Sequence, residues 1–129
     1  MEPLEILVVD DHAALCDALK TGLSQLGHKV TCAKDGGAAT ELVVQHAFNV
    51  VITDILMPIG DGLELIGELR RSQPDVRVIA ISGGGRLSYH HYLDAARALG
   101  AHAVLAKPFS FSELTAVLGR TSDSTQQLA

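Results

Sequence analysis

Four short apolar segments of the sequence each lead into a residue that can handle a metal ion or a phosphoryl group. Residues 6–9 lead into Asp10 and Asp11, residues 50–53 into Asp54, residues 78–81 into Ser82, and residues 103–106 into Lys107. If these segments are parallel strands of one sheet, three carboxylates, a hydroxyl and an ammonium group meet at the same edge. Carboxylate oxygens suit Mg²⁺, and fixed positive charge and hydroxyl donors suit phosphoryl oxygens. The pattern predicts phosphoryl chemistry assisted by a divalent cation.

The elements that must position these residues follow from the alternation of strand and helix signals. Strands are predicted at residues 4–10, 28–33, 49–53, 76–81 and 101–105. The segments between them carry apolar residues at helical spacing, such as Leu15, Leu19, Leu23 and Leu26. Five strands alternating with five helices predict an α/β fold with a doubly wound parallel sheet in the order 2-1-3-4-5. Ligands of such sheets bind where the winding reverses, here between the first and third strands.

Helix ends have signals of their own. Asp35 is predicted to cap the second helix, and Asp61 with Glu64 and Ser110 with Glu113 form capping boxes. Gly27 follows the first predicted helix, where a left-handed cap is expected, and the fourth predicted helix ends at Gly100.

Length and composition bound the class of protein. The chain has 129 residues, of which 47% are hydrophobic, which fits one globular domain of ordinary size with a hydrophobic core. We expect this domain to cover residues 1–120, followed by a polar, frayed tail at residues 121–129. Ten basic against 15 acidic residues give a net charge of −5, so we expect no nucleic-acid partner. We also expect no membrane span and a cytoplasmic location, with Cys16 and Cys32 as free thiols.

The residue types suggest separate roles at the predicted site. Asp11 and Asp54 are the expected direct Mg²⁺ ligands, together with a backbone carbonyl just past Asp54, that of Leu56, while Asp10 acts through bound water. Asp54 is the expected nucleophile toward phosphorus because its strand is central. Lys107 and Ser82 would contact oxygens of the transferred phosphoryl group.

These motifs in this order resemble a receiver domain of the two-component response regulators, of the stand-alone single-domain type. The matching pieces are residues 8–11, 54–58, 61–62, 81–83 and 107–109, and the likeness extends from Leu4 to about Leu118. The resemblance implies a flavodoxin-like fold and phosphotransfer to Asp54 from a histidine kinase or histidine phosphotransfer protein. It implies Ser82 as the switch hydroxyl, Lys107 as the phosphate-contacting lysine, and a cis peptide bond between Lys107 and Pro108.

The expected output is a change in a partner-binding face made by the fourth helix, fifth strand and fifth helix, or onward relay of the phosphoryl group. Receiver domains often carry an aromatic residue three positions before the lysine, and here that position is Val104. A β-branched side chain cannot swing as an aromatic ring does. Signalling would then depend on backbone shifts of the Gly83–Gly85 loop. On this view the chain is a phosphoacceptor and no enzyme in the ordinary sense.

Other interpretations compete with this one. An acyl-phosphate phosphatase of the haloacid-dehalogenase kind would share the chemistry, but it usually carries Asp-x-Asp where this chain has adjacent acids. A binding module that is never phosphorylated, such as a flavin carrier, would share the fold. At single positions, Asp10 and Asp11 could merely cap the first helix. His12 is expected at the pocket rim with no evident partner ligand, and His90 and His91 as an exposed polar pair.

Overall fold

Strand and helix alternate throughout the part of the chain that the structure, a computed structural model, describes: residues 2–55, 62–82 and 89–128, with the backbone alone for 89–93 and 121–128. The strands are β1 (Glu5–Val9), β2 (Lys29–Ala33), β3 (Val50–Asp54), β4 (Arg77–Ser82) and β5 (Ala103–Ala106). The helices are α1 (Ala13–Gln25), α2 (Gly36–Gln45), α3 (Gly62–Ser72), α4 (Tyr89–Leu99) and α5 (Phe111–Leu128).

The strands form one parallel sheet in the order β2-β1-β3-β4-β5, as the sequence predicts. The winding reverses between β1 and β3, which are direct neighbours. The register places Val9 beside Thr53 and Asp54 beside Ile81, so the ends of the central strands lie level with one another. The residues that follow the central strands therefore lie at the same level along the carboxyl edge of the sheet.

The core has two layers, one on each face of the sheet, because successive strand residues point to opposite sides. On one face, Leu7 and Val9 pack with buried residues of α2, α3 and α4. On the other face, Ile6 and Val8 pack with buried residues of α1 and α5. Both sides of the central strands are covered, which explains why β3 is buried along its whole length.

The opposite edge of the sheet is closed by polar side chains that precede the strands. His28 accepts a hydrogen bond at Nδ1 from the Leu4 backbone N–H at 3.0 Å, and Asn49 accepts one from Glu5 at 2.8 Å. His102 does the same for Val78 at 3.1 Å. Each side chain satisfies an amide of the neighbouring strand. Burial lowers the pKa of His28 and of His102, which keeps both rings neutral acceptors.

Several predicted helix ends are confirmed. The Asp35 carboxylate accepts a hydrogen bond from Ala38 N at 2.8 Å. Ser110 and Glu113 form the capping box, with bonds of 3.0 and 3.1 Å between each side chain and the other's backbone N–H. Gly27 and Gly100 both adopt positive φ, 95° and 113°.

One local prediction is wrong. Leu26, assigned to the apolar stripe of α1, is 55% exposed because the helix ends at Gln25 and Leu26 is its C-terminal cap. The backbone of residues 121–128 continues α5. A helix can carry a polar sequence when it extends from a packed segment, since each added residue gains a backbone hydrogen bond. Cys16 and Cys32 are free thiols as expected, and burial raises the pKa of Cys16 to about 12.

The helix cap of Asp61, the Leu56 carbonyl and the Gly83–Gly85 loop lie outside the described residues, as do the side chains of His90 and His91. No helix in the described part of the chain combines the length and apolar character that a bilayer span requires.

Candidate functional site

The carboxyl edge of the sheet brings the predicted residues together. Asp10 follows β1, Asp54 is the last residue of β3, Ser82 is the last of β4, and Lys107 follows β5. Asp54 and Ser82 were predicted just beyond their strands but belong to them, because pairing with the neighbouring strand extends each by one residue. Asp54 is accordingly buried, with 3% of its surface exposed.

Lys107 links the first and third strands across this edge. Its Nζ donates a hydrogen bond to Asp10 Oδ2 at 2.8 Å and lies 3.4 Å from Asp54 Oδ2. Burial alone would lower the pKa of Lys107, but the hydrogen bond to Asp10 and the charges of both aspartates outweigh it and raise the pKa. The ammonium group is therefore charged, and it stabilises two buried carboxylates at once.

Asp10 is held at both carboxylate oxygens. Oδ2 receives the Lys107 bond, and Oδ1 receives bonds from the backbone N–H and the imidazole Nδ1 of His12, both at 2.9 Å. Burial opposes ionisation of Asp10, yet these hydrogen bonds outweigh it and lower its pKa. Asp10, which is predicted to act through bound water, therefore has both carboxylate oxygens engaged by Lys107 and His12.

The remaining acids form a cluster that could hold a cation. One ligand atom from each of Asp10, Asp11, His12 and Asp54 can be chosen so that all lie within 4.8 Å of one another. Asp11 and His12 are exposed, whereas Asp10 and Asp54 are buried, so the cluster is open to solvent on one side. Carboxylate oxygens around an open face fit a hard cation that keeps some of its water, as Mg²⁺ does.

Ser82 is the third kind of group at this edge. Its side chain is fully buried, and its hydroxyl has no hydrogen-bond partner among the described residues. Its carbonyl accepts a bond of 2.8 Å from the Lys107 backbone N–H, which joins the ends of β4 and β5. Leaving a buried hydroxyl without a hydrogen-bond partner costs free energy of folding. A ligand oxygen that accepted a bond from the Ser82 hydroxyl would remove that cost.

The wall beside Asp54 and Lys107 is mostly apolar. Ala14, Leu15 and Phe109 line a shallow pocket that also contains the Asp54 and Lys107 side chains. The Lys107–Pro108 peptide bond is cis, as the family resemblance implied.

Two residues of the site were not assigned a role from the sequence. Gly62, the first residue of α3, packs so closely on β3 that a Cβ would collide with the Asp54 carbonyl oxygen and lie 2.6 Å from Ile55 Cα. His12, expected at the pocket rim, lines the pocket with Asp54 and Lys107, and its Nδ1 lies 2.9 Å from Asp10 Oδ1 and 3.3 Å from Asp11 Oδ1. The Asp-Gly pair at the start of α3 is a sequence signal for Gly62, and adjacency to two acids is one for His12.

A doubly wound sheet with an acid cluster and a lysine at its carboxyl edge is the architecture of a receiver-type signalling module. A family model described as the response regulator receiver domain matches residues 6–119. The chain belongs to this family, whose members are phosphorylated on aspartate and bind Mg²⁺ at the acidic pocket.

Proteins with similar sequences are also transcriptional or response regulators. Response regulator MprA of Mycobacterium sp. (strain KMS) is 37% identical over 125 residues, which are 93% of this chain and 53% of that protein. The DNA-binding transcriptional regulator NtrC of Azospirillum brasilense is 33% identical over 126 residues, 96% of this chain and 25% of that protein. The chain thus spans about half or less of the length of these relatives.

Solved structures share the fold. A CheY-like receiver domain protein from Methanospirillum hungatei aligns with a TM-score of 0.89 and 25% identity, covering 99% of this chain and 100% of that one. Response regulator protein TrrA of Thermotoga maritima, solved in complex with Mg²⁺-BeF, aligns with a TM-score of 0.77 and 32% identity, covering 90% and 96%.

Proposed function

We propose that this chain accepts a phosphoryl group on Asp54 from the phosphohistidine of a histidine kinase or a histidine phosphotransfer protein. The observation that carries the proposal is the position of Lys107 Nζ, between Asp10 Oδ2 at 2.8 Å and Asp54 Oδ2 at 3.4 Å. A fixed ammonium group beside a buried carboxylate provides charge compensation at the place where negative charge accumulates during phosphoryl transfer.

In the proposed reaction a carboxylate oxygen of Asp54 attacks phosphorus. The new oxygen–phosphorus bond forms as the nitrogen–phosphorus bond of the donor breaks, and the donor imidazole keeps the electron pair and takes a proton from solvent. Lys107 and the Ser82 hydroxyl contact oxygens of the arriving group. Asp11 and Asp54 would hold Mg²⁺ with help from the Leu56 carbonyl, and the ion supplies positive charge to the phosphoryl oxygens.

The product is an acyl phosphate at the buried end of a central strand. We propose that it biases the face formed by α4, β5 and α5 between two arrangements that differ in affinity for a partner. Lys107 N and Ser82 O join β5 to β4 directly, which supports a link between the phosphoryl site and this face. Val104 is partly buried on β5 and packs against the core next to α4.

We propose that residues 1–120 act as the receiver unit, with the family match at residues 6–119 in support. A net charge of −5 disfavours direct binding of nucleic acid by this unit. NtrC of Azospirillum brasilense is a DNA-binding regulator, but this chain covers only 25% of it. An activity of that kind would need sequence outside the matched receiver, so the proposal leaves the output to a protein partner or to another domain.

Labelling by a small phosphodonor tests the acceptor site. We expect the wild-type protein to gain one phosphoryl group from acetyl phosphate in Mg²⁺, and Asp54→Asn to gain none, as measured by intact mass. Asp75→Asn is the matched control because Asp75 is exposed and precedes β4 at the opposite edge of the sheet. Labelling of Asp54→Asn to the wild-type extent would refute the assignment.

A further inference from the structure

The two cysteines of the chain are neighbours on one face of the sheet, although the proposed phosphotransfer uses neither thiol. Cys16 lies near the start of α1, and Cys32 lies in β2. Both belong to the core layer that α1 and α5 cover, where Cys16 is buried and Cys32 is partly buried. The fold thus brings together two thiols that are 16 residues apart in the sequence.

Two contacts show how close the thiols are. The Cys32 S–H donates to the Cys16 carbonyl oxygen at 3.5 Å. Burial raises the pKa of the Cys16 thiol to about 12, and the charge of Cys32 and a hydrogen bond between the two side chains act in the same direction. A sulfur this close to the partner's backbone is within the separation that a disulfide spans, since bridged Cβ atoms are about 3.5–4.5 Å apart.

Access from solvent differs between the two thiols. Cys32 lies on β2, the edge strand of the sheet, and keeps part of its surface exposed, whereas Cys16 is only 5% exposed. Oxidants react with thiols that they can reach, and a second thiol nearby converts the first product to a disulfide. An oxidant in solution therefore meets Cys32 first, and Cys16 is placed to react with the product.

We propose that Cys16 and Cys32 form an oxidation site, which a hydroperoxide converts to an intramolecular disulfide. The Cys32 thiolate attacks one oxygen of hydrogen peroxide, and the sulfur–oxygen bond forms as the oxygen–oxygen bond breaks. The products are a sulfenic acid and a hydroxide ion, which takes up a proton. The Cys16 sulfur then gives up its proton, attacks the Cys32 sulfur and displaces the hydroxyl group as water. The two thiols lose two electrons and two protons, and the peroxide is reduced to water.

A disulfide here would alter a contact of the phosphoryl site. The Cys16 S–H donates to the Asp10 carbonyl oxygen at 3.6 Å, and Asp10 Oδ2 accepts the 2.8 Å bond from Lys107. A disulfide has no S–H, so the Asp10 carbonyl loses this donor on oxidation. We therefore expect acetyl phosphate to label Asp54 severalfold more slowly in the oxidised protein, an expectation that rests on the proposed function.

Intact mass tests the oxidation site directly, because the chain has no other cysteine. After treatment of the full chain with hydrogen peroxide we expect a loss equal to the mass of two hydrogen atoms. Neither thiol should then react with iodoacetamide in denaturant, and dithiothreitol should restore both. Thiols that stay free, a sulfenic acid that persists on the wild-type protein, or a disulfide between two molecules would overturn the proposal.

Single variants identify the order of the steps. Cys16→Ala should keep a sulfenic acid at Cys32, which dimedone captures, because no second thiol is present to displace it. Cys32→Ala should gain far less dimedone, since the thiol that remains is buried. Dimedone capture that is equal in the two variants would contradict the assignment of Cys32 as the first thiol to react.

A comparison with the unfolded chain shows whether the fold creates the pair. In a glutathione redox buffer we expect the equilibrium constant for disulfide formation to be at least about tenfold larger in the folded protein than in urea, because folding has already brought the thiols together. An equal or smaller constant in the folded protein would show that the fold does not favour the disulfide.

The proposed function fails in a different way. Absence of labelling at Asp54 in both redox forms would refute the acceptor site and leave the oxidation site standing. Equal labelling rates of the reduced and oxidised proteins would refute only the effect of the disulfide on that site. Peroxide treatment of Cys32→Ala is the control, and it should leave the labelling rate of that variant unchanged. Equal slowing of this variant and the wild type would show that the disulfide is not the cause.

Discussion

The close packing of Gly62 on the strand that carries Asp54 leads to a sharp prediction for Gly62→Ala. A Cβ at Gly62 would collide with the Asp54 carbonyl oxygen and lie 2.6 Å from Ile55 Cα and 3.0 Å from the Asp54 carbonyl carbon. All three atoms belong to the backbone at the end of β3, so no side-chain rotation relieves the collision. Either α3 moves away from the sheet or the end of β3 moves with Asp54.

The cost can be bounded from general values. Overpacking a tight site costs about 1–3 kcal/mol, and backbone neighbours place Gly62 at the upper end. Replacing Gly by Ala in a helix returns at most about 1 kcal/mol, and less in the first turn. We expect Gly62→Ala to lose about 2 kcal/mol of unfolding free energy and about 6–10 °C in melting temperature. A shift of the acceptor carboxylate by about 1 Å would slow phosphorylation by about a hundredfold.

The same helix offers a matched control. A Cβ at Gly67 has no atom within 4 Å in the described part of the chain. Gly67→Ala should therefore stabilise the protein by about 0.5–1 kcal/mol and leave phosphorylation unchanged. Thermal unfolding and the rate of labelling by acetyl phosphate would be measured for both variants. A Gly62→Ala protein that unfolds and labels like the wild type would refute the packing argument.

Two further predictions concern charged and titratable groups. Lys107→Ala should remain folded but show a smaller change in its amide NMR spectrum on addition of beryllofluoride, because the ammonium group no longer meets the phosphoryl mimic. Burial lowers the pKa of His28, so the unfolded chain, with a pKa of about 6.5, takes up protons first on acidification. The melting temperature should therefore fall as pH drops below about 6.5, and fall less in His28→Asn, where an amide oxygen accepts the bond as Asn49 does.

Control variants define the results that would contradict the predictions for Lys107 and His28. Lys34→Ala removes an exposed lysine and is the control for Lys107→Ala. A beryllofluoride response of equal size in both variants would exclude Lys107 from phosphate contact. His102 also accepts a backbone bond with a lowered pKa, so some pH dependence should survive in His28→Asn. Identical pH profiles for wild type and His28→Asn would show that His28 is not held neutral.

The sequence predicts the sheet order and the residues at its carboxyl edge because apolar segments ending in functional groups are a one-dimensional pattern. The exact residues at which strands end are harder to predict from the sequence. The prediction placed Asp54 and Ser82 just beyond their strands, but pairing with the neighbouring strands includes both residues and buries both. Burial matters for the chemistry, since a buried carboxylate depends on the charge of Lys107 far more than an exposed one does.

Other features depend on contacts between distant parts of the chain. In the sequence Gly62 appears only within the matching pair 61–62, and the position of α3 on β3 shows why a side chain there is excluded. The acceptor roles of His28 and Asn49 depend on which strand lies beside each one. Leu26 satisfies the helical spacing, but the helix ends one residue before it. The local sequence pattern does not predict the contacts of Gly62, His28 and Asn49, because each involves a strand that is distant in the sequence.

The two bonds of Lys107 are unequal, and this inequality bears on how a signal would leave the site. The 2.8 Å bond to Asp10 is short and buried, whereas Asp54 lies 3.4 Å away, so an arriving phosphoryl oxygen would replace the weaker contact. Lys107 can then meet the phosphoryl group without leaving Asp10, and its side chain need not move far. The Ser82 hydroxyl has no hydrogen-bond partner among the described residues, so a phosphoryl oxygen would give it one. Ser82 O accepts a bond from Lys107 N at 2.8 Å, so a displacement of the Ser82 backbone that accompanied this contact would reach the end of β5 and would need no aromatic ring in place of Val104.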